Sequence, residues 1–154
     1  MRISDILRRK GSAVATVTET TTVTALLAEL SVHNIGATVV IGTGGQERSD
    51  TGMTIGVVGI VSERDVAREL HRQGPGLLSR PVSDIMSSAL VTCGPDDTVD
   101  VLAELMTHNR VRHIPVLDAG RLIGIVSLGD VVKNRLEELA AERQQLRDYI
   151  TQSG

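Results

Sequence analysis

A seven-residue pattern that occurs twice limits this chain more than any other feature. Gly59-Ile60-Val61-Ser62-Glu63-Arg64-Asp65 is matched by Gly124-Ile125-Val126-Ser127-Leu128-Gly129-Asp130, with Gly, Ile, Val, Ser and Asp at identical spacing 65 residues later. Upstream, Asn34 to Val40 aligns with Arg110 to Val116, Thr16 with Thr92 and Val23 with Val99, all 76 residues apart. Ser4-Asp5-Ile6-Leu7 echoes Ser83-Asp84-Ile85-Met86. A chain built from two copies of one supersecondary unit must bury the apolar face of each copy against the other, so the repeat sets the fold. The two offsets differ by 11 residues, an insertion in the first copy running from Gly42 to Gly52. Its Gly-rich, polar composition reads as a mobile hairpin loop, placed at 42–54.

Each copy reads as the same series of elements. In the first, Ser4 or Asp5 caps a short helix over Ile6 and Leu7, and Arg8-Arg9-Lys10-Gly11 is a basic connector, either a solvated turn or a phosphate contact. A strand over Val14–Val17, a helix over Ala25–Asn34 and buried-type strands at Ile35–Ile41 and Ile55–Val61 follow. A helix over Val66–Gln73 ends at Gly74-Pro75-Gly76. In the second copy, Ser83–Met86 is a helical turn and Leu90–Cys93 a strand, and Pro95-Asp96-Asp97-Thr98 opens a helix reaching about Asn109. Strands at Val111–Leu117 and Leu122–Val126 flank the tight turn Asp118–Arg121. A final helix outlives the repeat. Its apolar stripe, Val132, Leu136, Leu139, Leu146 and Ile150, has coiled-coil spacing if Arg143 occupies one seam position, and fits either packing on its own module or a dimer contact.

In both copies the repeated pattern ends on Ser and Asp where a helix should begin. That supplies hydroxyl, backbone N–H and carboxylate groups at a positive helix end. Plain N-capping uses the same residues. Composition narrows the chemistry. Aromatic residues are 1% of the chain, so it cannot build stacking platforms for single-stranded nucleic acid, and the core must be aliphatic. A net charge of −3 gives no duplex-binding footprint. The single Cys93 excludes an internal disulfide framework and fits a reducing compartment. No apolar run approaches the roughly 18 residues of a membrane span, and the N-terminus has no signal-like apolar region, so a cytoplasmic protein is expected.

On these residues (the paired G-I-V-S-x-x-D segments, R-H-I-P-V-L-D and S-D-I-M) the chain resembles a tandem pair of cystathionine-β-synthase (CBS) domains, the Bateman module, and a subfamily of small stand-alone bacterial and mitochondrial CBS proteins. The resemblance covers about residues 1–135. It implies an α/β fold of two β-α-β-β-α repeats related by a pseudo-twofold, residues 1–75 and 76–135, with a helical extension over 136–154. It also implies two clefts that bind adenine ligands such as AMP, ADP, ATP, NAD or S-adenosylmethionine. By the family pattern, Asp65 and Asp130 accept from ribose hydroxyls, and Ser62 and Ser127 donate to phosphate. Arg64 and its counterpart Gly129 stand beside them. The base pockets are crossed: the Asp130 cleft would use Ala15, Thr16, Ile35, Gly36 and Ala37. The Asp65 cleft would use Met86, Val91, Thr92, Val111 and Arg112, with His113 and Pro115 on the same segment. Lys10, Arg64 and Arg112 favour a phosphorylated ligand over S-adenosylmethionine.

The expectation is a non-enzymatic regulatory module in signal transduction. It would sense AMP or NAD(H), with ADP and ATP as further candidates, pair as a homodimer and act on a partner protein. The alternative is an interaction protein with vestigial clefts. A nucleotide-hydrolysing enzyme has no support, because Ser62 and Ser127 lack a base nearby in sequence and there is no Walker loop or G-x-G-x-x-G. The histidines are scattered, and only His108 and His113 leave a zinc site as a minor alternative.

Overall fold

The computed structural model describes residues 1–11, 14–49 and 52–153. The first repeat runs β1 (Thr16–Thr18), α2 (Val23–His33), β2 (Ala37–Ser49), β3 (Gly52–Ser62) and α3 (Glu63–Gln73), after α1 (Ile3–Lys10). β1 pairs parallel with β2 in the register Val17↔Val40, and β2 pairs antiparallel with β3, so the sheet order is β1-β2-β3. Two 3-10 turns, Pro75–Ser79 and Val82–Asp84, lead to the second repeat: α4 (Val99–Asn109), β4 (His113–Asp118), β5 (Arg121–Ser127) and α5 (Leu128–Gln152). β4 and β5 are antiparallel. This is the expected mixed α/β architecture of two repeats with a long C-terminal helix, the first repeat β-α-β-β-α and the second α-β-β-α.

Several local expectations change. The strand expected at Leu90–Cys93 is reduced to one parallel bridge, Cys93↔Val116, the counterpart of Val17↔Val40. The Cys93 N–H donates to the Pro115 carbonyl and the Leu117 N–H donates to the Cys93 carbonyl. The next rung would need an N–H from residue 115, and proline has none, so pairing stops. Residues 42–54 do not form a loop along their length. Their backbone extends the β2–β3 hairpin, with Gln46↔Ile55 and Ser49↔Gly52 in register beyond a shift after Ile41, because paired strands satisfy each other's N–H and C=O groups. The turn itself, residues 50 and 51, lies outside the described residues. Arg8, Arg9 and Lys10 form the last turn of α1 rather than a connector, and Asp5 occupies the third helical position, bonding back to the Arg2 N–H. Asp96 and Asp97 precede α4: Thr98 is its cap, and Asp97 instead accepts from the Gly94 N–H.

The hydrophobic cores cross the chain halves. α1 contributes Ile3, Ile6 and Leu7 to the core of the second repeat, with Leu102, Met106, Ile114, Val116 and Val126. The segment after α3 contributes Leu77, Val82 and Ile85 to the core of the first, with Val23, Leu26, Leu30, Val40 and Val61. The exchange is hydrogen-bonded the same way on both sides. Ile3 N–H donates to Asp97 C=O (2.9 Å) and Val99 N–H to Met1 C=O (3.1 Å). Their counterparts are Val82 N–H to Thr21 C=O (2.7 Å) and Val23 N–H to Arg80 C=O (2.9 Å).

The repeated glycine follows from this docking. A Cβ on Gly124 would lie 2.5 Å from Leu7 Cδ2, and one on Gly59 would lie 2.7 Å from Met86 Sδ and 3.0 Å from the Ser87 carbonyl. Leu7 and Met86 are matching residues of the two exchanged segments, so each motif glycine clears the strand surface for the arm of the other repeat. On α5, Val132, Leu136, Leu139, Leu146 and Ile150 are between 50% and 68% exposed, so the stripe does not pack on its own module. Among the described residues, no helix is long and apolar enough to cross a membrane.

Gly59→Val is expected to destabilise the fold by about 1–3 kcal/mol, because the Ser87 backbone cannot swing away as a flexible side chain can. Urea denaturation measures this. An unchanged midpoint would contradict the docking contact.

Candidate functional site

Each motif serine begins a helix. Ser62 caps α3 and Ser127 caps α5, and both close a capping box with the aspartate three residues on. Ser62 N–H donates to Asp65 Oδ2 (2.8 Å) and Asp65 N–H to Ser62 Oγ (3.3 Å). In the second copy the distances are 2.8 and 3.1 Å. Capping therefore consumes one carboxylate oxygen of each aspartate. It also fixes the side chain, so that the other oxygen, Oδ1, is held at the mouth of the helix.

Asp65 lies in a cleft of about 340 Å³ built from both repeats, within the usual range for small-molecule sites, about 300–1,000 Å³. The first repeat supplies Gly36, Ala37, Ile60 and the start of α3 from Ser62 to Arg68. The second supplies Ser87, Ala89, Val91 and the run from Arg110 to His113. Four guanidinium groups, Arg64, Arg68, Arg110 and Arg112, face two carboxylates, Glu63 and Asp65. Arg68 pairs with Asp65 Oδ1 at 3.3 Å, and among the described residues the other three arginines form no ion pair. A chain of net charge −3 thus gathers an excess of positive charge in one concave place. That concentrates anions there.

Arg110 sits in the left-handed region, φ 53°, at the end of α4, where glycine is the usual residue. His113 is half-buried between the clefts, its ring carbon Cε1 3.7 Å from where a Gly36 Cβ would be. Burial, then the Lys10 and Arg112 cations, lower its pKa below the ordinary 6.5, against the opposing pull of Asp130 and Glu63.

The second aspartate meets a different partner. Lys10 Nζ lies 2.6 Å from Asp130 Oδ2 and donates to the Ile125 carbonyl at 2.8 Å. Burial works against the Asp130 carboxylate, but the Lys10 ammonium and the Ser127 N–H outweigh it and hold its pKa below 3.8. An open groove beside α5 is lined by Arg112, His113, Ser127, Leu128, Gly129, Val132, Lys133, Leu136 and Glu137. Asp130 is not among its lining residues.

The structure gathers Ser62, Arg64, Asp65, Val91, Val111, Arg112 and His113 in one cleft. It puts Gly36 and Ala37 there too, although the expected crossing assigned them to the Asp130 side. Met86 packs over Gly59, Thr92 is exposed and the Pro115 carbonyl bonds Cys93, and none of the three lines the cleft. Ala15 accepts from the Thr38 hydroxyl, Thr16 pairs with Val39 in β1, and Ile35 is 36% exposed. The sequence reading omitted Ile60, Glu63, Arg68, Ser87, Ala89 and Arg110. Arg68 carried a signal, since it lies one helical turn from both Arg64 and Asp65. Among the described residues, no group of three or more His, Cys, Asp or Glu could hold a metal ion.

Comparisons with known proteins agree with this geometry. The sequence model of the CBS domain matches residues 3–72 and 82–137. A mitochondrial CBS domain-containing protein of Arabidopsis thaliana is 37% identical over 96% of this chain and 71% of its own length. The crystal structure of a CBS-domain containing protein from Agrobacterium tumefaciens superposes with a TM-score of 0.75 at 39% identity, covering 88% of this chain and 99% of that one. The CBS domain pair of MJ0100, solved with 5′-methylthioadenosine and S-adenosyl-L-methionine, has a TM-score of 0.73 over 90% of this chain and 98% of its own. At 22% identity, that likeness is one of fold.

The lowered pKa of His113 predicts a pH dependence. The unfolded chain takes up a proton that the folded chain resists, so this contribution is complete above about pH 6.5 and declines as pH falls below it. His113→Gln should flatten the change in urea midpoint between pH 8 and pH 5.5. An equal slope in variant and wild type would contradict the assignment.

Proposed function

We propose that this chain, which belongs to the CBS-domain family, is a non-enzymatic sensor of adenine nucleotides. It binds AMP or NAD(H), with ADP and ATP as further candidates, in a cleft between its two repeats, and signals occupancy to a partner protein. The observation that carries this reading is the Asp65 cleft. It holds a fixed carboxylate for a ribose diol, apolar walls from Ile60, Val91 and Val111 for a base, and arginines in excess over carboxylates for phosphate. A distant neighbour of the same fold, MJ0100, was solved with two adenosine-bearing ligands, which supports the same ligand class. The arginines favour a phosphorylated member of that class. A sensor needs no nucleophile, only a ligand that binds one shape of the module better than another.

The homodimer belongs to the same proposal. The exposed stripe of α5 gives a second copy an apolar face to cover, with Leu136 62% and Leu146 65% exposed. Leu139→Lys at its middle should shift light-scattering mass from dimer to monomer at micromolar concentration. A wild-type monomer would end that part of the proposal.

Calorimetric titration of AMP, ADP, ATP, NAD, NADH and S-adenosylmethionine tests the ligand. One phosphorylated nucleotide should bind, and Asp65→Ala should weaken it roughly 10- to 150-fold, the worth of a hydrogen bond to a charged group. Equal binding by wild type and Asp65→Ala, or S-adenosylmethionine binding alone, would overturn the reading.

A further inference from the structure

The two repeats provide an internal control for each other. Residues 4–10 and 83–89 are matching arms: each carries the Ser-Asp-Ile motif, and each docks on the opposite repeat by equivalent hydrogen bonds. Leu7 covers Gly124 as Met86 covers Gly59. Three residues past Leu7 and Met86, the same alignment sets Lys10 against Ala89. Ala89 lines the Asp65 cleft and leaves it open. Lys10 instead places its ammonium 2.6 Å from Asp130 and 2.8 Å from the Ile125 carbonyl. Ile125 matches Ile60, whose backbone N–H and C=O pair with Ser87 in the first repeat. One arm therefore ends in a small side chain beside an open site, and the other ends in a cation seated on the site's own carboxylate.

We propose that Lys10 is the built-in occupant of the second cleft, so that the module takes one nucleotide per chain, at Asp65. The proposal rests on the reading of the Asp65 cleft given above. Lys10 bonds Oδ2, the oxygen that also caps α5, so a ligand hydroxyl that reaches the remaining oxygen must share a carboxylate already bound by a cation and must lie beside that ammonium. Fewer cations stand near for a phosphate: the counterparts of Arg64 and Arg112 are Gly129 and Gly36, and the groove beside Ser127 has Arg112 and Lys133 where the Asp65 cleft has four arginines. Arg9 pairs with Glu137 at 2.6 Å, seven residues past Asp130 along α5, so the arm is held at two places.

The test is the stoichiometry of AMP and NAD titrated calorimetrically into wild type, Lys10→Ala, Lys10→Ser and Lys10→Ala/Asp65→Ala, with circular dichroism verifying the fold. Wild type should bind one nucleotide per chain. Either Lys10 variant should show a second event, and the double variant should keep only that event. Two equivalents in wild type would overturn the proposal, and so would a single equivalent in both folded Lys10 variants. Those results leave the Asp65 reading standing. Absence of binding by every protein overturns both.

Discussion

Everything in this fold depends on the reciprocal docking of two short arms. Neither repeat has a complete core of its own: the second needs Ile3, Ile6 and Leu7, and the first needs Leu77, Val82 and Ile85. An isolated copy would leave these contacts unmade and the N–H groups of Val23 and Val99 without their carbonyls. The exchange makes the halves interdependent and brings them into the arrangement that creates a cleft lined by both. It also explains the most regular feature of the sequence. The motif glycines are required by the opposite repeat's arm, since any side chain at Gly59 or Gly124 would occupy the space of Met86 or Leu7.

The frame is symmetric, but the chemistry placed on it is not. Equivalent backbone positions carry Arg112-His113 in one copy and Gly36-Ala37 in the other, Arg64 against Gly129, and Ala89 against Lys10. The effect is to collect guanidinium groups around Asp65, which pairs with Arg68 of its own helix, and to pair Asp130 with Lys10 of the opposite arm. The surroundings of the two aspartates have thus diverged in their side chains. One lies in an open cleft lined by four arginines, three of them without an ion pair among the described residues. At the other, a lysine from the same chain holds the carboxylate.

The repeat spacing made the element order and the positions of Ser62, Asp65, Ser127 and Asp130 legible, because capping boxes and strand periods are local properties of the chain. What was not legible depended on pairing across distance. The missing strand at Leu90–Cys93 follows from a donor absent at Pro115, 22 residues away across the Cys93 contact. The insertion reads as a loop by composition, yet its two sides pair with each other along the hairpin. That Gly36 and Ala37 line the Asp65 cleft was not legible, because which cleft a strand start faces is a matter of tertiary packing. Lys10 looked like a basic residue in a connector, and only the fold shows that the last turn of α1 brings it onto Asp130, 120 residues later.

Arg112 ties the Asp65 cleft to the last helix. Its side chain faces the Asp65 cleft, while its carbonyl accepts from the Leu128 N–H (2.8 Å), the first residue of α5. The matching bond in the first repeat, Glu63 N–H to the Gly36 carbonyl (3.0 Å), begins α3 with no charge on the residue that accepts. An anion bound to the Arg112 guanidinium, as proposed above, would therefore touch the residue whose carbonyl starts a 25-residue helix. Along that helix lie the exposed Leu136, Leu139, Leu146 and Ile150. On the function proposed above, ligand and partner would meet the same helix. Were a nucleotide to prefer one position of α5, linkage would require an equal preference of the partner surface for the occupied cleft.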